Sequence, residues 1–176
     1  MKASEVVGHT AVAREGGQEL GKIKDLVVDA PGKQVLGLVV SEGLLKAARV
    51  AQWSSIQAIG PDSVILSTPE SVVKASEIPE IQTVLDDKKS IRGLRLQTTE
   101  GKDLGKVEDF EFDEKTGLVE GYVLSGGLFA DTVSGHSFLP TPSSIELGTD
   151  VAFVSPEAEA TVKQLSGGIK GAFKRD

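Results

Sequence analysis

Apolar and polar positions alternate with a period of two through most of this chain, in short runs broken by glycine-containing turns, and that pattern predicts β-strands. Residues 6–13 read as a first strand, followed by a turn at Glu15-Gly16-Gly17-Gln18-Glu19. Residues 20–29 read as a strand whose parity changes midway, because Leu26 and Val28 share a face and Ile23 is out of step with them. A break of that kind predicts a bulge or sharp bend, the device by which small barrels turn corners. Val35–Ser41 reads as a strand apolar on both faces, 51–56 as a further segment, and 63–67 as a last strand.

The same pattern then returns. Residues 17–45 match 101–129 without a gap at an offset of 84, with 12 identities in 29 positions; chance gives about two. The parity break recurs, with Phe110 and Phe112 set against Val107. Gly37 and Gly121 occupy equivalent strand positions and predict a close backbone approach inside each barrel. Farther on, Ser54-Ser55-Ile56 matches Ser143-Ser144-Ile145, at an offset of 89, so five extra residues lie between Phe129 and Pro142. Residues 150–155 end the second copy. The turns between the long strands differ: Ala30-Pro31-Gly32-Lys33 has the Pro-Gly order of a type II turn, and Asp113-Glu114-Lys115-Thr116-Gly117 fits a longer turn closed by a glycine at positive φ. Two copies of one small unit, rather than a solenoid of many short repeats, account for this.

Helical signals are few. Ser155, Pro156, Glu157 and Glu159 mark a helix start that Gly167-Gly168 would stop, and Thr68-Pro69-Glu70 plays the same role in copy one. Ile81, Val84 and Leu85 predict a second short helix over 78–87. The fold class is therefore all-β with minor helices: two tandem small β-barrels, with short helices in the linker and near the C-terminus. The expected layout is domain 1 over 1–67, a linker over 68–89, domain 2 with its helix over 90–166, and a flexible tail over 167–176. Phe112 and Val39 are expected to line the interiors.

Composition narrows the function. The 176 residues carry a net charge of −7, with 8 basic against 11 acidic side chains in 1–86 and 11 against 15 in 87–176. Neither half is a basic module, which argues against direct binding of nucleic acid. With no cysteine, disulfides, thiol nucleophiles and thiolate metal sites are excluded. The longest apolar stretch, 35–40, is far short of the ~20 residues of a membrane helix, and residues 1–9 lack the apolar core of a signal peptide. A cytoplasmic protein with no membrane insertion is the expectation.

The string Leu-Gly-Lys-Ile/Val-x-Asp-Leu/Phe-x-Val/Phe-Asp, then a glycine turn, then Val-x-Gly-x-Val-x-Ser, resembles the PRC-barrel family. It stands at 20–29 with Val35–Ser41 and at 104–113 with Val119–Ser125. The resemblance implies a compact barrel of about six strands. Relatives of this kind occur in a photosynthetic reaction-centre subunit, a ribosomal RNA maturation factor and an archaeal cell-division protein, where the domain docks on other macromolecules. The family carries no catalytic residues to transfer.

Candidate chemistry is sparse. Asp25/Asp109 and Asp29/Asp113 recur, but their spacing fails the EF-hand pattern, and Asp29 and Asp113 sit where a carboxylate bonds the backbone of the following turn. Lys22, Lys24 and Lys106 alternate with acidic neighbours as on a solvated strand face. His9 and His136 are not equivalent, and no metal-binding pattern joins them. Ser134, His136 and Asp131 form a triad on paper, without the strand-turn-helix context of a nucleophile elbow. No catalytic residue, cofactor or metal is expected. The candidates for partner binding are Trp53, Leu128, Phe129 and Phe138, in or beside the segments where the copies diverge most, since aromatic anchors are typical of interfaces. The alternative is that these side chains plug their own barrels or the seam between them. The expectation is a non-enzymatic scaffold or adaptor that docks on a protein partner or self-associates. The rival reading is a ribosome or RNA-processing accessory factor acting through a ribosomal protein.

Overall fold

The computed structural model describes residues 1–41, 48–88, 90–131 and 135–165. The first sheet contains β1 (Thr10–Ala13), β2 (Glu19–Val28), β3 (Val35–Ser41), β4 (Arg49–Gln52), β5 (Ile56–Ile59), β6 (Ser63–Leu66) and β7 (Val72–Lys74), in the order β5-β6-β1-β2-β3-β4-β7. The second contains β8 (Arg95–Thr98), β9 (Asp103–Phe112), β10 (Val119–Ser125), β11 (His136–Pro140), β12 (Ile145–Leu147), β13 (Val151–Val154) and β14 (Lys163–Gln164), in the order β12-β13-β8-β9-β10-β11-β14. The two orders are the same, strand for strand. Each sheet has a single parallel pair, β1 with β6 and β8 with β13, at the equivalent place. The first hairpin of each slips register at the equivalent point, between Ala11 and Val12 and between Leu96 and Gln97.

The parity break in β2 is a bulge: the register with β3 shifts between Ile23 and Asp25. It turns Ile23 inward along with Leu26 and Val28, which is why all three are buried despite odd spacing. Gly37 and Gly121 do sit against neighbouring backbone. A methyl group on Gly37 would run into the Ala51 carbonyl, and one on Gly121 would lie 2.6 Å from the Leu139 carbonyl oxygen.

The apolar character of both faces of β3 has a concrete cause. Helix α2 (Pro79–Asp86) follows the first sheet and buries Ile81 against Val27, Val50 and Ala75, with Leu36, Val39, Val84 and Leu85 around them. Val39 is only partly buried and packs against this cluster, while Leu38 and Val40 are buried. That corrects the expected interior role of Val39. Phe112 is fully buried.

Four further expectations change. The first strand starts at Thr10, because Ala3–Val6 forms a helical turn, α1, with the Glu5 carboxylate accepting the Lys2 N–H at 2.9 Å. The helix near the C-terminus is a 3-10 helix over Pro156–Thr161; it ends before Gly167-Gly168, outside the described residues, since β14 pairs with β11 directly afterwards. The turn at Pro31 is not type II: the Gly32 N–H bonds the Asp29 carbonyl at 2.9 Å, so proline is third and glycine, at φ +71°, fourth. Finally β7 and β14 extend sheets expected to have about six strands, their three and two residues being too short to show a period.

The chain divides into two compact units: residues 1–90 with 112–119, and 91–111 with 120–176. Among the described residues no helix is long and apolar enough to cross a membrane.

Candidate functional site

Trp53 follows β4 directly and opens a 3-10 turn, Trp53–Ser55, that leads straight into β5. Its half-buried ring meets Phe112 edge to face, centroids 5.9 Å apart and planes at 89°. That geometry sets the positive edge of one ring on the negative face of the other. Gly117 completes the seat: a Cβ there would lie 2.8 Å from Trp53 Cε2, and the residue's φ of +74° suits glycine alone.

The turn holding Gly117 is fixed by Asp113, whose Oδ1 accepts the N–H groups of Lys115 at 2.8 Å and Thr116 at 2.9 Å. Asp29 does the same in the first repeat, accepting from Lys33 at 2.7 Å and Gln34 at 3.1 Å. Asp29 and Asp113 therefore serve turns, whereas Asp25 and Asp109 lie within β2 and β9 and accept the N–H of the next residue, Leu26 at 2.8 Å and Phe110 at 2.9 Å. The two turns are laced within one compact unit. Gln34 Nε2 donates to the Thr116 carbonyl at 2.9 Å, Val35 N–H to the Gly117 carbonyl at 2.8 Å, and Val119 N–H to the Lys33 carbonyl at 2.9 Å.

Beside this seat lies a groove of about 380 Å³, lined by Trp53, all four residues of β5 and the turn residues Glu114 and Lys115. Consecutive residues of a strand point to opposite faces. The groove touches Ile56, Gln57, Ala58 and Ile59, on both sides of the register shift between Ile56 and Ala58, and so follows the strand along its length. β5 is a terminal strand of its sheet and, among the described residues, pairs with β6 alone.

The other candidates lie in the second unit. Leu128 and Phe129 are half-buried in the 3-10 turn Gly127–Phe129 that follows β10. Phe138, on β11, lies over Gly121: its ring occupies the space a Gly121 side chain would take. Such covering of a strand glycine by an aromatic neighbour is a packing role. The structure thus brings Trp53 together with Phe112, Gly117 and β5, and places Phe138 on its own sheet.

His136 Nε2 is 3.0 Å from Glu108 Oε2. The Ser125 hydroxyl, followed by His136, holds the Glu108 carboxyl below its ordinary pKa, against a smaller opposing effect of burial. The histidine is engaged by a glutamate on β9, and Ser134 of the paper triad lies outside the described residues. Lys22, Lys24 and Lys106 are exposed. Among the described residues no three His, Asp or Glu side chains are grouped to hold a metal ion.

The family model of the PRC-barrel domain matches residues 1–73 and again 87–160. This chain belongs to the PRC-barrel family. No curated protein matches it. Each PRC barrel ends in two edge strands, and the equivalent pair β5 and β12 differ in chemistry. β12 of the second barrel carries Glu146, whereas β5 of the first barrel carries no charge. The residues of β5, with Glu114 and Lys115, were not singled out from sequence. Trp53 was the signal available, being the chain's one tryptophan. The edge position of β5 depends on sheet order, which no local pattern encodes.

Proposed function

We propose that this PRC-barrel protein is a non-enzymatic scaffold that docks on a protein partner through the surface around Trp53. The observation carrying this reading is a half-buried tryptophan seated on Phe112 and opening onto a groove of about 380 Å³. Rigid aromatic side chains at the margin of a concave surface are favoured anchors for protein partners. The family supports the small barrel as such, and the acidic balance of both halves favours a protein over a nucleic acid as the docked molecule.

The test is affinity purification of the tagged full chain from its native host, followed by identification of what co-purifies. A protein partner at defined stoichiometry, reduced at least five-fold by Trp53→Ala with circular dichroism unchanged, is expected. Isolation of the chain without any partner counts against the proposal, as does a saturable turnover abolished by a point substitution.

A further inference from the structure

We infer that the open edge of β5 receives a short, extended, uncharged segment of a partner protein as an added strand. This rests on the docking reading above and specifies its chemistry. An edge strand presents unpaired backbone N–H and C=O groups that another strand can take up, and folded proteins guard such edges with charge, brevity or bulges. Three of the four edge strands carry a charged side chain: Lys74 on β7, Glu146 on β12 and Lys163 on β14. β5, with the sequence Ile-Gln-Ala-Ile, carries no charge; its only guards are its four-residue length and the register shift between Ile56 and Ala58.

The groove lies along that edge. Its lining also includes Glu114 and Lys115, one carboxylate and one ammonium, so the site has no net charge to attract a strongly charged ligand. Trp53, in the same lining, offers an aromatic ring to an apolar side chain of the incoming segment. Main-chain bonding supplies affinity in such strand addition, and pockets for alternate side chains supply selectivity.

The size of the edge argues against a second copy of this chain as the occupant. Four residues span about 13 Å, and the strand is interrupted by a register shift between Ile56 and Ala58. A self-association resting on that contact alone falls well short of the roughly 1,200–2,000 Å² of a stable interface. A peptide of four to six residues is matched to the groove.

The test uses the full chain and a random twelve-residue peptide display library. Enriched peptides are titrated through the emission of Trp53, and backbone amide exchange is mapped with and without peptide. Enriched sequences with an uncharged core of alternating apolar residues are expected. Exchange at residues 57–59 should slow at least ten-fold on binding. Ala58→Lys should weaken binding at least ten-fold, and Lys24→Gln should leave it unchanged. Ala58 is exposed, so the new charge stays in water; Gln57→Lys, equally exposed, is the second variant should the first unfold.

Failure to enrich any sequence overturns the inference, as do binders indifferent to both lysine variants or protection confined to other strands. A concentration-dependent dimer abolished by Ala58→Lys would assign the edge to a second copy and overturn it too. A host partner retained by Ala58→Lys removes this inference and leaves the scaffold reading standing; absence of any host partner removes the scaffold reading itself.

Discussion

Truncating Phe112 to alanine tests the seat of Trp53 most directly. The side chain is fully buried and forms the edge-to-face contact at 5.9 Å. Phe→Ala in a core costs about 3–5 kcal/mol, and an aromatic pair contributes about 0.5–1.5 kcal/mol beyond its area, which places this site in the upper half of that range. The backbone bonds at this residue do not depend on the side chain: its N–H donates to the Met1 carbonyl at 2.9 Å, and its carbonyl accepts the Met1 ammonium at 3.1 Å. The loss therefore isolates packing. For a unit of roughly a hundred residues each kcal/mol lowers Tm by about 4–8 °C, so a fall of about 15–40 °C is expected. Urea unfolding followed by the emission of Trp53, a probe confined to this unit, measures it. Phe112→Leu, which keeps most of the volume and loses the ring pair, should cost no more than about 1.5 kcal/mol. A loss under about 1 kcal/mol for the alanine variant would refute the packing argument.

Other expectations can be checked in the same way. Ser137 is fully buried and its hydroxyl has no hydrogen-bond partner among the described residues; Ser137→Ala should leave stability unchanged or raise it by about 1 kcal/mol in urea titration, and a clear loss would reveal a partner. Gly121→Ala meets the Leu139 carbonyl and the Phe138 ring, whereas Gly101, at φ +87°, has open space around it; the first should cost about 2–3 kcal/mol and the second about 1 kcal/mol, and equal costs would contradict the covering role of Phe138. Val39→Ala, in the half-buried cluster under α2, should cost about 1 kcal/mol, well below Phe112→Ala. Glu108 has its carboxyl depressed by Ser125 and then His136, so its contribution is present above the ordinary glutamate pKa of 4.5 and is lost as pH falls through the lower folded value. Urea midpoints between pH 6 and pH 3 should fall less steeply for Glu108→Gln than for the parent. The difference is small because the side chain is 48% exposed, and identical slopes would remove the assignment.

The architecture was legible because duplication writes the same constraints twice. A parity break at Ile23 and again at Val107, and paired glycines at 37 and 121, carry a topology that neither copy states clearly alone. The bulge at Ile23/Asp25 and the helix under Ile81, Val84 and Leu85 follow from residues only a few positions apart, where periodicity is informative. What was not legible depends on contacts distant in sequence. Val39 reads as interior until α2 is placed on the outer face of β3. Pro156–Thr161 is a short 3-10 helix followed directly by β14, whose pairing with β11 is a contact distant in sequence that the local signal of Ser155, Pro156 and Glu157 does not contain. At the candidate site the single tryptophan was visible, but the groove was not, since it is made by the edge status of β5 and by a turn nearly sixty residues away.

The turn over 112–119 was written by the second repeat and is packed with the first. Modules that keep to their own borders can be shuffled, multiplied or trimmed during evolution one at a time. Here an excised front half would lose the floor beneath its tryptophan, and a transplanted rear half would carry away a piece that another body needs. A fragment that stops at residue 90 would thus lack eight residues of its own compact unit.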